Sequence, residues 1–171
     1  MKPAGPLEIE VKVRIPSAQS VAPRLLAAGF RLVQPEALET SVLWDRAGEL
    51  KAADCALRLR RYAGRALLTW KGARMPDPRL KVRPERETGV DDAEALEAIL
   101  RALGFAPVLT MEKHRALWSR PGLEACVDRA PFGCFLELEG ERDAIQGAMA
   151  ELEVDPGQIE TRSYATLFNG D

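Results

Sequence analysis

The chain has 171 residues, 46% of them hydrophobic and 29% charged, with 26 acids against 24 lysines and arginines. That balance is ordinary for a globular protein, and the length suits one domain over residues 1–171. No run of about 18 apolar residues occurs in the chain, so no membrane-spanning helix is expected.

The start, MKPAGPLEIE, carries no apolar stretch before the first strand, so a secretory signal is not expected. Cys55, Cys126 and Cys134 are odd in number and lack C-x-x-C spacing. They read as reduced thiols of a cytoplasmic protein.

Strict alternation in LEIEVKVRI predicts a strand over 7–15, with Glu8, Glu10, Lys12 and Arg14 on one face and aliphatic residues on the other. Ser17 is placed to cap a helix over 18–28 that stops at Gly29. Strands follow over 40–45, 56–62, 66–71 and 79–88. Asp91 or Asp92 then starts a helix over 93–103, where Ala95, Leu96, Ile99, Leu100 and Leu103 form an apolar stripe closed by Gly104. Further strands are expected over 110–118, 123–128 and 134–140, a helix over 141–152 and a short turn around Ser163–Phe168. LLAAGFRLV is echoed by ILRALGFAPV, each leading to a strand that ends near a tryptophan, so the chain carries a weak internal repeat.

Eight antiparallel strands in two halves point to a sheet closed on itself, since closure removes exposed edges. The expected class is α+β: an eight-stranded antiparallel β-barrel with helices packed outside. Six of the strands share one habit. Arg58 and Arg60 oppose Leu57 and Leu59; Thr69 and Lys71 oppose Leu68 and Trp70; Lys81, Arg83, Glu85 and Glu87 share a side. Lys113 and Arg115 oppose Glu112 and His114, Glu124 is in phase with Asp128, and Glu137 and Glu139 oppose Leu136 and Leu138.

If helices cover the aliphatic faces, the charged faces point inward. Buried ions are costly unless they pair or meet a ligand. Seven acids (Glu8, Glu10, Glu85, Glu87, Asp128, Glu137, Glu139) stand against seven bases (Lys12, Arg58, Arg60, Lys71, Arg83, Lys113, Arg115). A wet channel lined this way stays near neutral when empty, and again with a polyphosphate on the bases and divalent cations on the acids. Residues 57–83 hold nine lysines and arginines and one acid, Asp77. A basic segment inside an acidic chain suits a small anion better than nucleic acid.

EIEVK at Glu8–Lys12 resembles the E-x-E-x-K signature of the CYTH superfamily, the triphosphate tunnel metalloenzymes. ALRLR, LTWKG, KVRPERE, EKHR, VDRAPFGCFLELEG and TRSYATLF follow in that family's order over nearly the whole chain. The resemblance implies a tunnel holding a triphosphate substrate (ATP, tripolyphosphate or thiamine triphosphate) with Mg²⁺ or Mn²⁺. Lys12, Arg58, Arg60, Lys71, Arg83, Lys113 and Arg115 would bind phosphate. Glu8, Glu10, Glu137 and Glu139 would bind metal, with Asp128, Glu85 and Glu87 as further candidates. The catalytic set would be Glu8, Glu10, Lys12 and Glu139.

His114, in the outward phase, is not expected to act as a base, and Trp44, Trp70 and Trp118 lie on the apolar phase as core. Arg14 belongs to the rim. Two reactions share this lining: cyclisation of ATP to cyclic AMP and pyrophosphate, and hydrolysis of a triphosphate. No lysine follows Lys113, although Arg162 is available as a late cation, and RSYATLF is similar to the S-Y-x-x-L-L tail of class IV adenylyl cyclases. The cyclase is therefore the leading expectation and the triphosphatase the alternative. A binding domain without turnover is a third reading, which the four retained glutamates of EIEVK and LELEG oppose. No nucleic-acid or membrane partner is expected, and a homodimer is left open.

Overall fold

β1 (Leu7–Ile15) buries both of its faces at mid-strand: Val11 and Val13 on one side and Lys12 on the other are each 1% exposed. The computed structural model describes residues 6–170. The expectation about a leader segment therefore lies partly outside the described residues. α1 (Ala18–Ala27) starts at Ser17, whose hydroxyl accepts from the Ser20 N–H at 3.2 Å, and it gives way to Gly29 at φ 79°. There follow β2 (Arg31–Asp45), α2 (Glu49–Ala52), β3 (Ala56–Tyr62), β4 (Arg65–Lys71), β5 (Lys81–Val90), α3 (Ala93–Ala102) and β6 (Ala106–Arg120). β7 (Leu123–Ala130), β8 (Gly133–Gly140), α4 (Arg142–Glu151), a 3₁₀ turn (Pro156–Gln158) and α5 (Tyr164–Asn169) complete the chain. Asp92 is the residue that caps α3, accepting from the Ala95 N–H at 2.8 Å.

The strands hydrogen-bond in the closed order β1-β5-β4-β3-β2-β6-β7-β8, the eight-stranded barrel that the alternation predicts. β2 and β6 are far longer than expected, at 15 residues each. Their leading halves do not alternate in burial, and Leu32, Val33, Leu38 and Val108 are exposed there, so a periodicity search sees no strand. α2 and the 3₁₀ turn were not anticipated; four and three residues are too few to show a helical period.

The repeat is structural. α1 and α3 each end at a left-handed glycine, Gly29 and Gly104, followed by a phenylalanine whose N–H reaches back five residues at 2.9 Å. Each phenylalanine then leads into a 15-residue strand carrying a buried tryptophan near its end, Trp44 or Trp118.

Two compact units emerge from the packing. In the first (6–7, 39–76 and 83–112), Trp44, Leu59 and Leu100 form a core with Val42, Leu57, Val90, Leu96 and Phe105, so α3 lies on the aliphatic face of β2 and β3. The second (8–38, 77–82 and 113–170) packs Val21 and Leu25 of α1 and Ile145 and Ala148 of α4 with Val11, Val13, Leu136 and Leu138. Helices thus take the aliphatic faces, and the charged faces are left for the site. Among the described residues no helix is long and apolar enough to cross a membrane.

Candidate active site

In the second unit, antiparallel register sorts the charged faces of β1, β8, β7 and β6 into cross-strand rows. Glu10 stands opposite Glu139, and Glu139 opposite Glu124. Lys12 faces Glu137, which faces Cys126. Arg14 faces Phe135, Phe135 faces Asp128, and Asp128 faces Arg115. Directly opposed side chains on one sheet face are in contact range, so these rows are the units of the site.

Asp128 is its electrostatic centre. It is fully buried, and it accepts from Lys113 Nζ at 2.8 Å, from Arg115 Nε and Nη2 at 2.7 and 2.6 Å, and from the Tyr164 hydroxyl at 2.6 Å. Burial works against its charge, but Arg115 and Lys113 outweigh it and hold the carboxyl well below the usual carboxylate range. Asp128, one of the expected metal candidates, is paired here with two of the expected phosphate ligands. Arg115 also donates to Glu137 at 2.6 Å, and Glu137 lies 3.8 Å from Lys12 Nζ.

Lys12 Nζ donates to the Arg162 carbonyl at 3.0 Å. Burial lowers its pKa to about 8, against the pull of Glu137. Lys81, in phase with Arg83, pairs with Glu10 at 3.1 Å. Burial penalises the Lys81 charge too, yet Glu10 and Glu137 prevail and its pKa is raised. Cys126, in the Lys12 row, is pushed up by burial to about 12 and is a thiol rather than a thiolate.

The first unit carries the other expected bases. Arg60 donates to Glu87 at 3.1 Å and stands 3.9 Å from the buried Glu39. Thr69, fully buried, donates to the same Glu87 oxygen at 2.7 Å, and Lys71 pairs with Glu85 at 2.6 Å. Arg83 donates through Nε to the Gly72 carbonyl and through Nη2 to the Asp54 carbonyl, both at 2.8 Å, so its guanidinium also fixes two loops. Arg58 lies opposite Thr69, and its buried Nε has no hydrogen-bond partner among the described residues. Such an orphaned donor calls for an explanation, and a bound anion supplies one.

For a metal, the donor set is two-sided. Among the described residues no three carboxylate, thiol or imidazole side chains form a cage. Mg²⁺ is commonly held by one or two carboxylates together with substrate phosphates, so the opposed Glu10 and Glu139 fit that arrangement, with Glu8 in the same phase of β1. Glu85, Glu87, Glu137 and Asp128 are paired with lysines and arginines, as Glu10 is with Lys81.

Arg14, placed at the rim by its phase, binds Glu160 at 2.7 Å and stacks on Phe135. Arg162 is held by Glu160 at 2.9 Å, so its guanidinium is engaged within the tail. Trp44 and Trp118 are core, while Trp70 is half-buried. Four participants escaped sequence reasoning: Glu39, Lys81, Glu160 and Tyr164. Lys81 carried a usable signal in its phase with Arg83, and Glu39 in its two-residue spacing from Ser41. Glu160 lies outside any strand and carried none, while Tyr164 showed only through the resemblance of its TRSYATLF tail.

The sequence matches the CYTH domain family over residues 6–164. A Methanocaldococcus jannaschii protein provisionally named an adenylate cyclase is 30% identical, covering 94% of this chain and 98% of its own. Adenylate cyclase CyaB of Aeromonas hydrophila is 25% identical over 95% of this chain and 89% of its own. Among solved structures, a provisionally named adenylate cyclase from Vibrio parahaemolyticus superposes with a TM-score of 0.83 at 18% identity, covering 96% and 99% of the two chains. A Hippeastrum protein, described as an adenylyl cyclase candidate with a dominant triphosphatase activity, gives 0.67 at 18% identity, with 96% of each chain covered. With most of its length matched by the family, the chain belongs to the CYTH family, whose members are enzymes acting on triphosphates.

Proposed function

We propose that the protein is a class IV-type adenylyl cyclase, which converts ATP to cyclic AMP and pyrophosphate with Mg²⁺ or Mn²⁺. The observation that carries the triphosphate part is Arg58, a half-buried residue whose buried Nε is an orphaned donor on a face already rich in paired cations. The names of the two sequence relatives favour cyclisation over hydrolysis, as does the SYATLF tail. Lys12, Arg58, Arg60, Lys71, Arg83, Lys113 and Arg115 are the proposed phosphate ligands. Arginine gives planar bidentate contacts and lysine point charges. Glu8, Glu10 and Glu139 are the proposed metal ligands and, with Lys12, the catalytic set. A bound divalent cation would neutralise charge developing on phosphate oxygens.

Hydrolysis of a triphosphate is the second reading, favoured by the activity described for the Hippeastrum protein. One experiment separates the two. The protein is incubated with Mg²⁺ or Mn²⁺ and, separately, ATP, tripolyphosphate and thiamine triphosphate, and the products are resolved. Cyclic AMP with pyrophosphate is the expected result, and its loss in Glu10→Ala assigns the turnover to this site. Orthophosphate alone overturns cyclisation in favour of the hydrolase.

A further inference from the structure

Tyr164, the first residue of α5, brings an aromatic ring among the charges. Lys12 Nζ and Lys113 Nζ each stand 3.8 Å from its ring centroid. Its hydroxyl donates to Asp128, and Phe135 packs edge-on against it at 5.6 Å between centroids. The residues before it are tied to β1: the Glu160 N–H donates to the Lys12 carbonyl at 2.8 Å, and the Arg162 carbonyl accepts from Lys12 Nζ. The Ser163 hydroxyl caps α5 by accepting from the Thr166 N–H at 3.1 Å, which fixes where the helix starts and so where the ring lies.

Resting on the triphosphate reading above, we propose that Tyr164 is a positioning residue that presents Lys12 and Lys113 to the phosphates of the substrate. Asp128 holds the Lys113 ammonium and the Arg162 carbonyl holds that of Lys12, and the ring takes a second side of both. A carboxylate would hold and also neutralise them. An aromatic face attracts a cation through its quadrupole without cancelling the charge, so the ammoniums stay available to an anion. The buried cations Lys12, Lys113 and Arg115 share the carboxylates Asp128 and Glu137. The ring also spares the substrate the entropy of ordering both side chains, which is where preorganisation gains affinity.

The test is calorimetric binding of tripolyphosphate to the full chain with metal chelated, so that no turnover interferes. Tyr164→Phe keeps the ring and loses only the hydroxyl, and it is expected to bind within about threefold of the parent. Tyr164→Leu is expected to bind about tenfold more weakly, on the scale of a desolvated cation–π contact. Because Leu also disturbs the aromatic cluster, a third protein carries a 3,4,5-trifluorinated ring in place of the Tyr164→Phe ring, with nearly the same shape and a weakened quadrupole. It is expected to match the Leu variant in affinity and the Phe variant in urea midpoint.

The ε-methylene protons of Lys12 and Lys113 should show upfield ring-current shifts in the parent and the Phe variant that vanish in the Leu variant. If the trifluorinated protein binds as tightly as the Phe variant, or if the lysine shifts persist in the Leu variant, the positioning role is overturned while the triphosphate reading stands. Failure of the parent to bind tripolyphosphate or ATP overturns both.

Discussion

Replacing Asp128 by asparagine keeps the shape of a fully buried side chain and deletes its charge. In the parent, Lys113 and Arg115, each 6% exposed, direct three N–H bonds of 2.6–2.8 Å at that carboxylate, and the Tyr164 hydroxyl adds a fourth. Removing one partner of a buried ion pair costs about 3–5 kcal/mol, because the cation left behind is neither solvated nor neutralised. Glu137 still accepts from Arg115, which argues for the lower end, about 3 kcal/mol. For a chain of this size each kcal/mol is worth about 2–4 °C, so the melting temperature should fall by about 6–12 °C. In urea the midpoint should drop by at least about 1 M with an unchanged slope. The sign with pH follows from the depressed pKa of Asp128. A carboxyl whose folded pKa lies below its ordinary 3.8 adds stability above that value and loses it as pH falls through the folded value. The gap between parent and Asp128→Asn should therefore be flat from pH 5 to 8 and narrow below about 4. A gap under about 1 kcal/mol at pH 7, or one still undiminished at pH 3, would refute the counter-ion role.

Glu160 is held at about 2 by its bonds to Arg162 and Arg14, so its contribution is present above pH 4.5 and disappears between 4.5 and 2. Both arginines are near half exposed, so Glu160→Gln should cost no more than about 1 kcal/mol at pH 7 in urea unfolding, with parent and variant converging as the pH falls. Gly72 allows no Cβ, since one would meet Trp70 Cη2 at 2.9 Å and Pro84 at 3.3 Å, while the same addition at Gly89 meets nothing within 4 Å. Gly72→Ala should therefore destabilise by about 1–3 kcal/mol. It should also disturb the carbonyl that Arg83 grips, whereas Gly89→Ala should stay within about 0.5 kcal/mol; equal effects would show that the crowding at Gly72 is relieved at no cost.

Period-two alternation was legible because it is written residue by residue. Glu8, Glu10 and Lys12 announce one face of β1 regardless of what that face meets, and the helices that leave the face free announce themselves through Ser17, Asp92 and their glycines. Phase does not disclose a partner. Asp128 has the same phase as a metal ligand would have, and only its register opposite Arg115, with Lys113 two residues away, makes it a counter-ion. Of the expected seven carboxylates, Glu85, Glu87, Asp128 and Glu137 serve cations and so does Glu10 through Lys81, so the ion pairs alone do not separate metal ligands from counter-ions.

The tail marks the limit of such reading most sharply. Lys12 and Arg162 are 150 residues apart, yet one hydrogen bond joins them, and Tyr164 reaches both lysines from a six-residue helix. A helix that short has almost no periodicity to betray a buried face, and the tail resemblance that includes Tyr164 names no contact for it. Its chemistry appears only when Lys12 is found as buried as the valines beside it. A lysine so placed must be held by groups that tolerate its charge. The strands supply Glu137 for that task, and the rest has to come from somewhere else in the chain. The main-chain carbonyl of Arg162 and the ring of Tyr164 are what the tail supplies. The charged face of β1 therefore requires the last ten residues of the chain as much as it requires the barrel.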